Sequence, residues 1–111
     1  MDKKVFTIDL ENYRTKGSKV FTGRNRGKQV REKSQIEKIE KKADKVEVKV
    51  PEDIYSINPS FLEEFLRPVV IRLGKIKFYE KFSFDCKGPY EIATDLEEAV
   101  DRILRENHAL V

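Results

Sequence analysis

Apolar and polar residues alternate with period two over Val5–Leu10, where Phe6, Ile8 and Leu10 face one way and Val5, Thr7 and Asp9 the other. The same period returns over Lys45–Val50, with Val46, Val48 and Val50 opposed to Lys45, Glu47 and Lys49. Both patterns predict strands with one wet face. Lys19–Thr22 predicts a shorter strand, set off by the polar stretch 11–18 and its Gly17-Ser18 turn signal. Thr22 or Gly23 then caps a helix starting near Arg24. Gly27, Val30 and Ser34 lie on one face of that helix, whereas Ile36, Ile39 and Ala43 lie on nearly the opposite one. The pattern therefore predicts a break near Ser34, with Ser34 and Glu37 offering a second capping box.

The most apolar window, SINPSFLEEFLRPVVIRLG at 56–74, predicts the central helix. Either Asn58 caps it with Pro59 in the first turn, or Ser60 and Glu63 form a capping box. Phe61, Leu62, Phe65, Leu66, Val69, Val70 and Leu73 follow at helical spacing. Gly74 fits the residue after a helix end, and Pro68 is expected to kink or split the helix because it cannot donate to the Glu64 carbonyl. Residues 75–86 fit two patterns: a strand alternating Ile76, Phe78, Phe82 and Phe84, or a short helical turn followed by a strand at 82–86. The second is preferred. Gly88-Pro89 marks a turn, and Thr94–Glu97 forms a capping box before Leu96, Ala99, Val100, Ile103 and Leu104 at helical spacing. Residues 108–111 are expected to fray.

Strands alternate with helices, without repeats or an obvious linker. The expected fold is α/β: a single small domain over 1–111, with its first strands in 1–22. It has one mixed sheet of about four strands, and helices pack mainly on one face. A chain of 111 residues is long enough for one core. No apolar run approaches eighteen residues, so no membrane-spanning helix is expected. The N-terminal stretch resembles neither a signal nor a transit peptide, and one cysteine, Cys86, cannot form an internal disulfide. These features lead to an expectation of a cytoplasmic protein.

The net charge of +3 conceals an asymmetry. Residues 14–33 carry eight cations against Glu32 alone, a local balance of +7 that leaves −4 for the rest. Arg14, Lys16, Lys19, Arg24, Arg26, Lys28 and Arg31 are therefore candidate contacts to an anion or to nucleic acid. Thr22–Gly27 adds small residues at a helix start, where free N–H groups favour an anion. The competing reading is a solvated basic face with glycines that permit a turn and close helix–sheet packing.

Catalytic chemistry is sparse. The single histidine, His108, stands in the tail, Cys86 ends a strand, and no His/Cys spacing suits a metal. Glu63-Glu64 and Glu97-Glu98 are sequence neighbours, about 100° apart on a helix. No phosphate-loop fingerprint is present. The expectation is a protein without catalysis, metal or cofactor.

Two stretches together carry a family resemblance. VFTGRNRGKQVRE at 20–32 and VEVKVPEDIYSINPSFLEEFL at 46–66 resemble the STAS-like family of unknown function. The second segment has a strand, a link ending in isoleucine, and a helix start at Ser60-Phe61-Leu62-Glu63-Glu64. The resemblance covers roughly residues 5–105. It implies an antisigma-factor-antagonist-like architecture built for protein–protein contact, paired with an ATPase of the histidine-kinase type. It implies a partner surface at Asn58, Pro59 and Ser60 with the adjoining Thr22, Gly23 and Arg24. In true antagonists the loop before the central helix carries a phosphorylatable serine; here Asn58 and Pro59 take the first two places of that motif, which leaves Ser60 as the candidate for phosphorylation. The expected function is a non-enzymatic regulatory module. The alternative is a nucleic-acid-binding protein using residues 14–33, and the remote one a small enzyme. The sequence does not define an oligomeric state.

Overall fold

The computed structural model describes residues 3–109. Strand β1 (Val5–Asp9) runs into a 3-10 turn at Leu10–Tyr13, and the short β2 (Val20–Phe21) leads into α1 (Arg24–Ser34) and α2 (Ile36–Lys42). Then come β3 (Lys45–Val50), the short β4 (Ser56–Ile57), the long α3 (Pro59–Lys81), β5 (Phe82–Cys86) and α4 (Ala93–Ala109). The α/β class is as expected, but the sheet differs. The main sheet has three strands in the order β1-β3-β5, all parallel, while β2 and β4 form a separate two-stranded parallel ladder. The strands are parallel because each connection in the main sheet returns through a helix. The short strands stay apart because Gly23 and Asn58-Pro59 turn each one into a helix after two residues.

Register explains the wet face. Phe6, Val46 and Phe82 form one row across the sheet, and Ile8, Val48 and Phe84 the next, on the helix side. Val46 and Val48 are fully buried there. The opposite face shows Thr7–Glu47–Ser83 and Asp9–Lys49–Asp85, the second row placing a cation between two anions. All-parallel sheets are usually covered on both faces. In this chain the alternating charges leave one side to solvent.

Helix α3 packs between α1 and α4 and carries half of the largest fully buried side chains, among them Phe61, Leu62, Phe65 and Leu66. Each such burial contributes about 1.5–3 kcal/mol. Phe61 packs against Phe21 (ring centroids 5.2 Å apart), and Phe78 stacks on Phe82 at 4.8 Å. Asn58 is the N-cap of α3: its Oδ1 accepts from the Ser60 N–H at 2.8 Å, and Pro59 takes the first turn. The chain leaves helical geometry at Gly74 (φ 79°, ψ 168°), not at Pro68, which keeps helical dihedrals. The split expected at the proline falls at Gly74 instead. The Glu64 carbonyl that Pro68 cannot serve is satisfied by Arg31 from α1. A short helical segment then runs from Lys75 to Lys81 before β5, the preferred of the two sequence patterns.

The break between α1 and α2 is real but lies at Gln35, which adopts the left-handed conformation (φ 56°, ψ 38°). Neither Ser34 nor Glu37 caps α2. The Ser34 hydroxyl instead donates back to the Arg31 carbonyl at 3.3 Å. Helix α4 begins at Ala93, one residue before Thr94, so the expected capping box lies inside the helix. Its backbone is helical through Ala109, and residues 110–111 of the tail expected to fray lie outside the described part. Among the described residues, no helix is long and apolar enough to cross a membrane.

Candidate functional site

The β2–β4 ladder brings two distant segments together. Phe21 registers with Ile57, and the Asn58 N–H donates to the Phe21 carbonyl at 2.8 Å. Thr22-Gly23-Arg24 and Asn58-Pro59-Ser60 therefore leave the ladder side by side, each at the start of a helix. Gly23 caps α1 with φ 91°, a conformation that side-chain-bearing residues rarely adopt, so the turn from β2 into α1 requires glycine. Ser60 is half-buried, and its hydroxyl donates to Asn58 Oδ1 at 2.7 Å. Beside these loops stand two exposed apolar side chains, Val20 (41% exposed) and Tyr55 (68%). The Lys19 ammonium lies 5.2 Å from the centre of the Tyr55 ring.

Behind the loops lies Glu63, fully buried in the first turns of α3. Its Oε1 is 3.3 Å from Arg24 Nη1 of α1, and its Oε2 is 3.2 Å from Arg102 Nη1 of α4. Arg67 stands 3.9 Å away on α3 itself. Arg24 and Arg67 also reach Glu64, at 3.5 and 3.0 Å. The two adjacent carboxylates, expected to point apart, thus share two arginines. One buried charge ties three helices together directly beneath the paired loops. Burial pushes the Arg67 guanidinium down, but its bonds to Glu106 and Glu64 prevail and raise it above its ordinary value. Sequence reasoning missed Arg67 and Arg102. The Glu63/Arg67 spacing of four residues was the available signal.

The basic segment divides instead of forming one surface. Arg24 and Arg31 turn to the acids and backbone of α3. Arg14 is held by the Ser18 carbonyl, Asp53 and Glu11. The Asp53 carboxyl is lowered below its usual range by the hydrogen bond from Arg14. Arg26 donates to the Tyr13 carbonyl at 2.8 Å. Lys16, Lys19 and Lys28 are exposed. Gly27 does serve close packing, but of helix on helix: a Cβ there would lie 2.3 Å from the Phe61 carbonyl oxygen of α3.

Ligands enter open α/β sheets at the carboxyl ends of the strands. That end here holds a shallow cleft of about 280 Å³ whose walls include Asp9, Lys49, Glu52, Asp53, Asp85 and Lys87. Two of its acids are already engaged: Asp53 with Arg14, and Asp9 as acceptor from the Glu11 N–H at 3.0 Å. Among the described residues, no group of three histidine, cysteine or acidic side chains is arranged to hold a metal. Burial raises the Cys86 thiol, which favours the unreactive protonated form. His108 has no described side chain.

The fold and the paired loops define a parallel α/β domain with an exposed, rigidly backed loop pair. No family model, curated protein or solved structure matches the chain.

Proposed function

We propose that this chain is a non-enzymatic regulatory module that binds a protein partner through the paired loops Thr22–Arg24 and Asn58–Ser60. The observation that carries this reading is the β2–β4 ladder. It joins two segments more than thirty residues apart into one exposed edge, beside Tyr55 and Val20. Exposed aromatic side chains next to polar loops are the usual anchors of protein interfaces. The buried Glu63 network fixes the two helix starts relative to each other, so the surface is presented preformed and little ordering is needed on binding. The STAS-like resemblance supplies the partner class, an ATPase of the histidine-kinase type. It also supplies the regulation: a phosphate on Ser60 would abolish the hydroxyl's donation to Asn58 and place negative charge one turn above Glu63 and Glu64.

The test is affinity capture from source cells, with and without nuclease, comparing the natural chain with Tyr55→Ser, Thr22→Arg and Ser60→Asp. The reading expects a nuclease-insensitive ATPase whose recovery drops at least about tenfold in the variants. Capture that collapses under nuclease would transfer the function to the basic segment. Capture unchanged by all three substitutions would place the interface elsewhere.

A further inference from the structure

A second surface lies on α1, apart from the loop pair and independent of the reading given to it. Arg26, Gln29 and Lys33 are spaced at i, i+3 and i+7, which places them along one side of the helix. They face Asn12 and Tyr13 of the 3-10 turn across a cleft of about 160 Å³, with Arg14 and the buried Val30 completing its walls. No carboxylate lines the cleft. This distinguishes it from the cleft at the carboxyl ends of the strands, where acids and lysines alternate.

The hydrogen bonds decide what the cleft presents. Arg14 is spent on scaffolding, since its Nε and both Nη groups already donate to the Ser18 carbonyl, Asp53 or Glu11. Arg26 donates to two neutral acceptors, the Tyr13 carbonyl at 2.8 Å and Gln29 Oε1 at 3.2 Å, which leaves its charge uncompensated by these bonds. Because Gln29 accepts through Oε1, its amide nitrogen is left as a donor. Lys33 is exposed at the cleft and contributes three more N–H bonds. Two positive charges and a set of N–H donors thus converge on a space without a competing acid. The volume corresponds to about five waters at roughly 30 Å³ each, enough for a tetrahedral oxyanion. A phosphate monoester carries about −1.5 to −2 charges at neutral pH, which matches the two free cations.

We infer that this cleft binds a phosphoryl group, free or as a small monoester, with Arg26, Gln29 and Lys33 as donors. Arg26 recognises oxygen pairs through its planar fork, Lys33 acts as a point charge, and Gln29 orients Arg26 by accepting from its Nη1.

The experiment is an amide NMR titration of the full chain with inorganic phosphate at low ionic strength, against a chloride control. The expected result is saturable shifts confined to Asn12, Tyr13, Arg26, Gln29 and Lys33. Lys33→Glu and Gln29→Glu, both at exposed positions, each weaken binding at least about tenfold. Lys16→Glu, an equal charge change outside the cleft, weakens it less than about twofold. Adenosine monophosphate and adenosine separate the sources. A response to phosphate alone marks a free anion, and a response to the monophosphate with none to adenosine marks a carried phosphoryl group. Shifts that do not saturate, a Lys16→Glu effect equal to that of Lys33→Glu, or binding of adenosine itself would overturn the inference. So would a response to an oligonucleotide with none to phosphate or monophosphate.

Discussion

The Arg31 guanidinium makes the hydrogen bond that Pro68 cannot. Its Nη1 donates at 2.6 Å to the Glu64 carbonyl, the oxygen four residues before the proline. A proline inside a helix costs about 3 kcal/mol, in part because that oxygen loses its donor. Here a charged donor from α1 fills the gap, so the docking of α1 onto α3 and the tolerance of Pro68 are one interaction.

This coupling is measurable by a double-mutant cycle in urea. Arg31→Leu is expected to destabilise the natural chain by about 2 kcal/mol, because it orphans a partly buried carbonyl and a charge-assisted bond. In a Pro68→Ala background the helix supplies its own N–H, and the same change should cost at least about 1 kcal/mol less. Equal costs in both backgrounds would show that Arg31 acts only through its 3.8 Å pairing with the Glu64 carboxylate.

Gly27→Ala sets helix propensity against packing. Propensity alone would gain about 1 kcal/mol from the added methyl. The methyl would, however, lie 2.3 Å from a backbone oxygen of α3, and backbone cannot swing aside as a side chain can. The helices must separate, so a net loss of about 1–3 kcal/mol is expected by thermal or urea denaturation. An unchanged or raised midpoint would mean that the α1–α3 crossing is looser than the contact indicates.

Elements whose signal is local were legible in the sequence. The strands at Val5–Asp9 and Lys45–Val50 follow from alternation, and the Asn58-Pro59 helix start from cap chemistry. The strand Phe82–Cys86 follows once Gly74 is taken as a helix end. The errors at Pro68 and in the basic segment share one cause, which is that their outcome depends on distant partners. Pro68 should break a helix considered alone, and Arg31 lies 33 residues before the carbonyl it rescues. The charge excess of 14–33 was visible, but not that Arg24 and Arg31 would be drawn to acids on α3. Two-residue strands carry no period, so the separate ladder could not be distinguished from the main sheet. The loop pair was nominated by resemblance, and the ladder gives its proximity a physical basis.

The turn between α1 and α2 has a non-glycine residue in a left-handed conformation. Gln35→Gly removes the clash of Cβ with the backbone at φ 56° and is expected to stabilise the fold by about 0.5–1 kcal/mol, net of the greater freedom glycine gives the unfolded chain. A lower denaturation midpoint for this variant would show that the Gln35 side chain contributes packing that outweighs its strain.

Glu40 gives the clearest dependence on pH. It is fully buried on α2 and accepts from Arg72 and, at 2.8 Å, from Lys81, residues on either side of the Gly74 break. Lys81 also donates to the Glu40 backbone carbonyl at 2.6 Å, so this residue fixes the angle between the two halves of α3. Burial pushes its carboxyl up, but the bonds from Lys81 and Arg72 prevail and hold it below the ordinary value of 4.5. A carboxyl depressed in the folded state contributes stability that is complete above that ordinary value and lost as pH falls through its folded value. At pH 7, Glu40→Gln is expected to cost about 2 kcal/mol, the worth of a charge-assisted hydrogen bond. As pH falls below about 4.5 the natural chain loses this contribution while the variant has none to lose, so their stability curves should converge. Denaturation of both chains between pH 7 and pH 3 measures the gap directly. A gap that persists undiminished at pH 3 would mean that Glu40 holds the helices by shape and not by charge.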